Sequence, residues 1–127
     1  VAAALLFENG RIFATKRGES PYAYVAHKYE FAGGKIETGE RGEDAVKREL
    51  KEELDLDVRV GALYASDTYE YPDFIITLWL YECEMLSSFT LKEHESYRWF
   101  APCELNAEEW APADAEIVNA IRRVFGE

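Results

Sequence analysis

The chain has few cysteines, few histidines and no long apolar run, and these shortages exclude several classes of protein. Its two cysteines, Cys83 and Cys103, are isolated and match neither a metal-ligand spacing nor a disulfide framework. The two histidines, His27 and His94, are also isolated, which argues against a zinc site or a nucleophilic triad. No stretch approaches the ~20 apolar residues of a membrane span. We therefore expect a soluble, cytoplasmic protein without a membrane partner.

Basic residues are scarce relative to acidic ones. The sequence has 14 Lys and Arg against 25 Asp and Glu, a formal net charge of −11. Binding of a nucleic-acid polymer requires clustered cations that neutralise phosphates, so we expect no such partner. Part of the acid excess is interpreted instead as a group of carboxylates that bound cations neutralise.

The length and the residue patterns predict one α+β domain over residues 1–127. Asn9-Gly10 is a strong hairpin signal between two apolar segments at the start of the chain. Further strands are predicted at 29–31, 57–71, 74–84 and 96–100, helices at 43–54 and 113–125, and a short helical segment at 102–109. In the last helix we expect Ile117, Ala120, Ile121 and Val124 to face inward. Strands before, between and after two helices indicate a mixed β-sheet sandwiched by helices.

The predicted helix at 43–54 carries three glutamates on one side. At about 100° per residue, Glu49, Glu52 and Glu53 fall within an arc of roughly 100° beside the apolar stripe. A solvated face would intersperse cations, because like charges four residues apart destabilise a helix by roughly 0.2–0.5 kcal/mol. Only Arg48 adjoins the cluster, where its fork would fix a carboxylate. Such grouped oxygen donors suit Mg²⁺ or Mn²⁺; an ordinary solvent-facing helix is the alternative.

The loop before this helix favours the metal site. Gly33-Gly34-Lys35 lets the backbone approach a ligand closely and places a cation beside it. Thr38-Gly39-Glu40 turns the chain into the helix and adds another acid. Loop and helix together predict a site for metal and phosphate.

Residues 34–56 resemble the Nudix box. The matching positions are Gly34, Glu40, Arg48-Glu49-Leu50, Glu52-Glu53 and Leu56. Asp55 stands where the family has Gly, and Asp tolerates the left-handed conformation that ends a helix. Ala32 stands where relatives often have Pro, and we expect little consequence from it.

The resemblance extends along nearly the whole chain to the MutT-like branch of the Nudix family. The supporting segments are Lys16-Arg17, Tyr29–Glu37, Tyr71–Asp73, Ile76–Trp79, and Leu91–His94 ahead of Trp99. The resemblance implies a Nudix-type α/β/α sandwich, Mg²⁺ as cofactor with Mn²⁺ as a possible substitute, and hydrolysis of nucleoside triphosphates to monophosphate and pyrophosphate.

The resemblance also implies roles for individual residues. The metal ligands would be the carbonyl group of Gly33 and the side chains of Glu49, Glu52, Glu53 and Glu93. Glu53, Glu93 and Glu49 are candidates for the catalytic base, and Arg48 completes the catalytic group. Arg17 and Lys35 would contact phosphates, and Phe31 and Tyr24 could stack on the base.

The resemblance also implies that the segment Trp110-Ala-Pro-Ala-Asp114 determines which nucleobase is bound. Relatives that act on cytidine nucleotides have Ala-Pro-Ala-Asp here, whereas those that act on oxidised guanine have Asn in place of Asp114. An ionised Asp only accepts hydrogen bonds, which suits the cytosine amine, although guanine also presents donors. Capping of the last helix is the alternative role for Asp114.

We therefore expect a preference for cytidine or modified pyrimidine triphosphates in nucleotide-pool sanitation. The alternatives are oxidised purine nucleotides such as 8-oxo-dGTP, and dinucleotide polyphosphates, for which Tyr71 is a weak marker. A Nudix-fold ligand sensor is the non-enzyme alternative, although such modules usually lack some of the box glutamates. A monomer and a homodimer both remain open.

Overall fold

Seven strands form one mixed sheet in the computed structural model, which describes residues 1–126. The strands are β1 (Ala2–Glu8), β2 (Arg11–Lys16), β3 (Tyr29–Glu30), β4 (Gly33–Gly34), β5 (Val58–Glu70), β6 (Ile75–Met85) and β7 (Ser96–Phe100). Their main order is β3-β2-β1-β6-β5, with β4 paired to β1 and β7 paired to β2. The sheet is mixed because β1 and β6 are parallel while the other pairs are antiparallel.

Strand β1 is buried on both faces, as its continuous apolar run requires. Ala2, Ala4 and Leu6 pack in the cluster of helix α1 (Gly42–Leu54), whereas Ala3 and Leu5 pack in the cluster of helix α2 (Pro112–Phe125). The alternation follows from the two-residue period of a strand. One helix on each side of the sheet confirms the predicted α/β/α sandwich.

Helix α1 ends as the sequence predicts. Asp55 adopts the left-handed conformation with φ of 50°, and backbone amides at its end reach the carbonyl groups of Leu50 and Lys51. Asp therefore takes the conformation that Gly usually provides at this position.

Helix α2 ends at Phe125 as predicted but differs from the expectation in its first turn and at Val124. Ala111 is its N-cap residue and Pro112 occupies its first turn, so Asp114 lies inside the helix and does not cap it. Ile117 and Ile121 face the sheet as expected, but the prediction for Val124 was wrong, because its side chain is 67% exposed. The inward face is set by the five buried positions Ala113, Asp114, Ile117, Val118 and Ile121.

Two other differences are local. Gly33 and Gly34 form the short strand β4 instead of a loop, because they pair with Ala3 and Ala2 of β1. The segment 102–109 contains two single-turn 3-10 helices, Pro102–Glu104 and Ala107–Glu109. Within residues 1–126, neither helix is long and apolar enough to span a bilayer.

Candidate active site

An acidic cleft of about 700 Å³ opens between α1, β4 and the loop before β7. Its lining brings together all of the predicted metal and phosphate residues, together with Arg48: Arg17, Gly33, Lys35, Arg48, Glu49, Glu52, Glu53 and Glu93. These residues come from four separate parts of the chain. The fold therefore assembles the set that the sequence predicts.

Arg48 joins the acidic groups on α1 to the loop before the helix. Its Nη1 atom donates to Glu49 at 2.8 Å and to Glu52 at 3.2 Å. Its Nε and Nη2 atoms donate to the two oxygens of Glu40 at 2.8 and 2.9 Å, and Nη2 also donates to the Lys35 carbonyl at 2.9 Å. One planar fork thus fixes the loop and two glutamates, which a lysine could not do at once.

The same contacts explain why Glu40 is ionised at neutral pH. Hydrogen bonds from Arg48 lower the pKa of Glu40 to about 2, and the backbone amide of Glu37 adds to the effect. Glu40 is therefore ionised at neutral pH and serves to hold Arg48. It does not line the cleft.

Glu53 has a different environment from Glu40. Burial, together with the nearby carboxylates of Glu49 and Glu30, raises the pKa of Glu53 to about 7, while His94 opposes the rise. A carboxyl group that is hard to ionise beside other carboxylates is one that a cation would stabilise.

The chemistry of this donor set fits a divalent cation. Glu49, Glu52, Glu53, Glu93 and the Gly33 backbone line one cleft, although no three acidic, His or Cys side chains within residues 1–126 already converge at ligand distances. A Cβ atom at Gly34 would collide with the Glu49 carboxylate, so only glycine allows this carboxylate to lie against the strand. These oxygens are of the type that Mg²⁺ and Mn²⁺ prefer.

Glu30 and His94 are among the cleft residues that the sequence analysis missed. His94 is one-tenth exposed, and its Nε2 atom lies 3.7 Å from Glu30 and 3.8 Å from Glu53. The Glu30 carboxylate raises the pKa of His94, and Glu30 also pairs with Arg17 at 3.1 Å. The sequence did hold a signal for the position of Glu30. Successive residues of a strand face opposite sides, so Glu30 points away from the core aromatics at positions 29 and 31. His94 belongs to the segment Leu91–His94 that supports the family resemblance, but no sequence pattern assigned it a role.

A second cleft of about 690 Å³ adjoins the acidic one. The two share the lining residues Arg17, Glu30, Gly33, Gly34 and Lys35. Beyond this boundary the second cleft is mainly apolar and aromatic, and Asp114 is one of its few charged residues. The pair of clefts can therefore hold a molecule with one polyanionic end and one flat, largely apolar end.

Asp114 is buried at 6% exposure, and its Oδ2 atom accepts a hydrogen bond from the Phe31 amide at 3.3 Å. Burial and the Glu30 carboxylate raise its pKa well above the usual range, against a smaller opposing effect of Arg17. The carboxyl group has no salt bridge among the described residues. This arrangement costs stability and leaves hydrogen-bonding capacity free towards the cleft.

The two aromatic candidates lie in different places. Phe31 is 4% exposed and packs against Trp110 in the core, and it also lines the second cleft. Tyr24 does not line that cleft; its ring stacks on Tyr71, and its hydroxyl donates to Asp73. Phe31 therefore remains a candidate for contact with a bound base, whereas Tyr24 would act through Tyr71.

Replacing Asp114 by Asn should stabilise the protein at alkaline pH. The pKa of Asp114 in the folded chain is raised above the unfolded value of about 3.9. Below the unfolded pKa, Asp114 is protonated in both states and its contribution to the free energy of unfolding is fully present. This contribution is lost as the pH rises through the folded pKa, because the unfolded chain ionises Asp114 more easily. We expect Asp114→Asn to increase the unfolding free energy by about 1–3 kcal/mol at pH 8 and by less at pH 4. Urea denaturation at both pH values measures this difference.

The exposed Glu116 on the same helix supplies the matched control. Glu116→Gln should change stability little at either pH. An Asp114→Asn variant that is less stable than the parent at pH 8 would contradict the account of this buried carboxyl group.

The sandwich, the acidic cleft and the arginine-bridged glutamates define a hydrolase of phosphate anhydrides. The sequence profile of the NUDIX domain matches residues 1–121, and the chain therefore belongs to the NUDIX domain family. Hydrolases of this family generally use divalent metals.

Known proteins resemble this chain both in sequence and in structure. The chain is 38% identical to the 8-oxo-dGTP diphosphatase of Escherichia coli K12 over 118 residues, covering 92% of this chain and 90% of the relative. It is 34% identical to the CTP pyrophosphohydrolase of the same strain over 122 residues, covering 94% and 88%. The solution structure of the E. coli ORF135 protein superposes with a TM-score of 0.83 at 32% identity, covering 98% of this chain and 88% of that one.

A MutT protein of the Nudix hydrolase family from methicillin-resistant Staphylococcus aureus 252 has 35% identity and a TM-score of 0.73, covering 98% of this chain and 95% of that one. Both the domain match and these relatives make the chain a MutT-like Nudix hydrolase. The predicted family and enzyme class are confirmed.

Proposed function

We propose that this chain hydrolyses nucleoside triphosphates to monophosphate and pyrophosphate, with oxidised guanine deoxynucleotides such as 8-oxo-dGTP as its first substrate class. The observation that carries the proposal is the continuity of the two clefts at Arg17 and Lys35. The triphosphate would lie in the acidic cleft and the base in the second one.

The order of the two substrate classes is reversed from the sequence-based expectation. Enzymes named 8-oxo-dGTP diphosphatase, from E. coli at 38% identity and Haemophilus influenzae at 33%, support oxidised guanine more strongly than cytidine. The guanine edge presents an N1–H and an amino group side by side, and the two oxygens of Asp114 can accept from both when the carboxyl group is ionised.

Cytidine triphosphate remains the second candidate. The Ala-Pro-Ala-Asp segment at 111–114 and the 34% identity to a CTP pyrophosphohydrolase favour it. Cytosine presents one donor group to Asp114, its amino group, whereas guanine presents two. Dinucleotide polyphosphates receive no comparable support from the clefts.

The side chains have distinct parts in this proposal. Glu49, Glu52, Glu53, Glu93 and the Gly33 carbonyl group would hold Mg²⁺, for which Mn²⁺ could substitute. A divalent cation bound there would neutralise phosphate charge and lower the pKa of a coordinated water. Glu53 and Glu93 both line the acidic cleft and are the candidates for the base that accepts the proton of that water, and Glu53 is the more buried of the two.

The phosphate chain also needs cations from the protein. Arg17 and Lys35 line both clefts and stand where the triphosphate would pass from one to the other. Arg17 is partly occupied by Glu30 at 3.1 Å, which fixes its direction before substrate binds.

A nucleotide panel assayed with Mg²⁺ tests the proposal. We expect pyrophosphate as the primary product and kcat/KM highest for 8-oxo-dGTP, followed by CTP, with unmodified dGTP as the reference. Primary release of orthophosphate would overturn the reaction. Preference for substrates with two nucleoside ends would instead favour the dinucleotide alternative.

A further inference from the structure

Tyr71 directly follows strand β5 and forms part of the wall of the second cleft. It is 4% exposed. Its hydroxyl oxygen accepts a hydrogen bond from the Ala113 amide at 2.9 Å, in the first turn of α2. The contact joins residues 42 positions apart in the chain and lies one residue from Asp114.

The ring of Tyr71 is held on three sides by other aromatics. Tyr24 stacks on it with ring centres 4.8 Å apart, and Tyr69 and Phe74 contact it at 4.7 and 5.1 Å. Two χ angles and this packing leave the hydroxyl a single position. A polar atom fixed in this way beside an apolar cleft is suited to recognise a ligand.

The backbone amides of Phe31 and Ala113, which contact Asp114 and Tyr71, are not free to donate to a base carbonyl group. An ionised Asp114 only accepts hydrogen bonds. A tyrosine hydroxyl that accepts one hydrogen bond still has its own proton to donate. Among residues 1–126, no protein atom receives the proton of Tyr71.

We propose that Tyr71 is a specificity-determining residue whose hydroxyl donates to the O6 carbonyl group of a guanine-type base while Asp114 accepts from N1–H and the amino group. This inference rests on the proposed function, because it requires the base to occupy the second cleft. Burial raises the pKa of Tyr71, so the hydroxyl keeps its proton at neutral pH. With Asp114 ionised, the pair would supply a donor for O6 and acceptors for N1–H and the amino group.

Exchanging the O6 oxygen for sulfur tests the contact, because sulfur is a weak acceptor. We expect the parent chain to hydrolyse dGTP with a kcat/KM roughly 3- to 10-fold higher than 6-thio-dGTP, the range of one neutral hydrogen bond. Tyr71→Phe should lower kcat/KM for dGTP by a similar factor, mainly through KM, and should treat the two nucleotides alike.

Tyr69→Phe is the matched control, since Tyr69 packs on Tyr71 and its hydroxyl makes no hydrogen bond within residues 1–126. It should keep the preference for oxygen over sulfur. A Tyr71→Phe variant that retains the full preference overturns the inference. Equal kcat/KM for both nucleotides in the parent chain overturns it without any variant.

Failure of the proposed function would look different. In that case the parent chain would release no pyrophosphate from 8-oxo-dGTP, CTP or dGTP. Release of pyrophosphate without discrimination between oxygen and sulfur leaves the proposed function standing and removes only the role of Tyr71.

Discussion

Glu53→Gln should lower kcat by a factor of ~10²–10⁴ while leaving the fold intact. The amide keeps the size of the side chain but removes the negative charge that would hold a cation or accept a proton. Because burial and neighbouring carboxylates disfavour the ionised form of Glu53, the variant should unfold at the same temperature as the parent or slightly higher. Steady-state pyrophosphate release and thermal denaturation measure the two effects.

Glu43→Gln provides the control for Glu53→Gln. Glu43 lies in the first turn of the same helix, pairs with Arg41 at 2.9 Å and does not line the acidic cleft. The same chemical change there should leave kcat within about twofold, as for surface substitutions away from a site. Full activity in Glu53→Gln would be incompatible with the assigned role of this glutamate.

Arg48→Lys should reduce activity and metal affinity by roughly 10- to 100-fold, the usual scale for residues that orient metal ligands. Lysine keeps the positive charge but cannot bind Glu40, Glu49 and the Lys35 carbonyl group together. Arg48 is thus a positioning residue, and its loss should weaken Mn²⁺ binding as well as turnover. Titration of Mn²⁺ and measurement of kcat test both effects.

Lys51→Ala is the comparison for Arg48→Lys. Lys51 pairs with Asp55 and Asp57, both at 3.3 Å, on the side of α1 away from the cleft. Its removal should leave Mn²⁺ affinity unchanged. If Arg48→Lys bound Mn²⁺ as tightly as the parent, the guanidinium fork would have no part in arranging the ligands.

The part of the acidic cleft formed by α1 could be predicted from the sequence because its residues lie close together in the chain, whereas Arg17 and Glu93 were named only through the family resemblance. Glu49, Glu52 and Glu53 share one side of a helix by its 3.6-residue period, and Arg48 is their neighbour. The glycine pair precedes the helix by a short turn, so the two approach each other in any compact arrangement. The helical period was sufficient to predict that these glutamates lie together.

The second cleft could not be predicted in the same way, because it depends on distant contacts. Phe31 meets Asp114 across 83 residues, and Tyr71 meets Ala113 across 42. The sequence offered helix capping as an alternative for Asp114, and only the position of Ala111 as N-cap rules this out. The error at Val124 has a similar cause, since helical periodicity does not show where a helix passes the edge of its sheet.

Binding of Mn²⁺ to the metal-free chain, followed by paramagnetic broadening of backbone amide signals, tests the central claim most directly. The account predicts that signals of Gly33–Lys35 and Arg48–Glu53 broaden first, while those of Arg122–Phe125 at the far end of α2 persist. Uniform broadening, or none at the glutamates of α1, would contradict the assignment of this cleft as the metal and phosphate site.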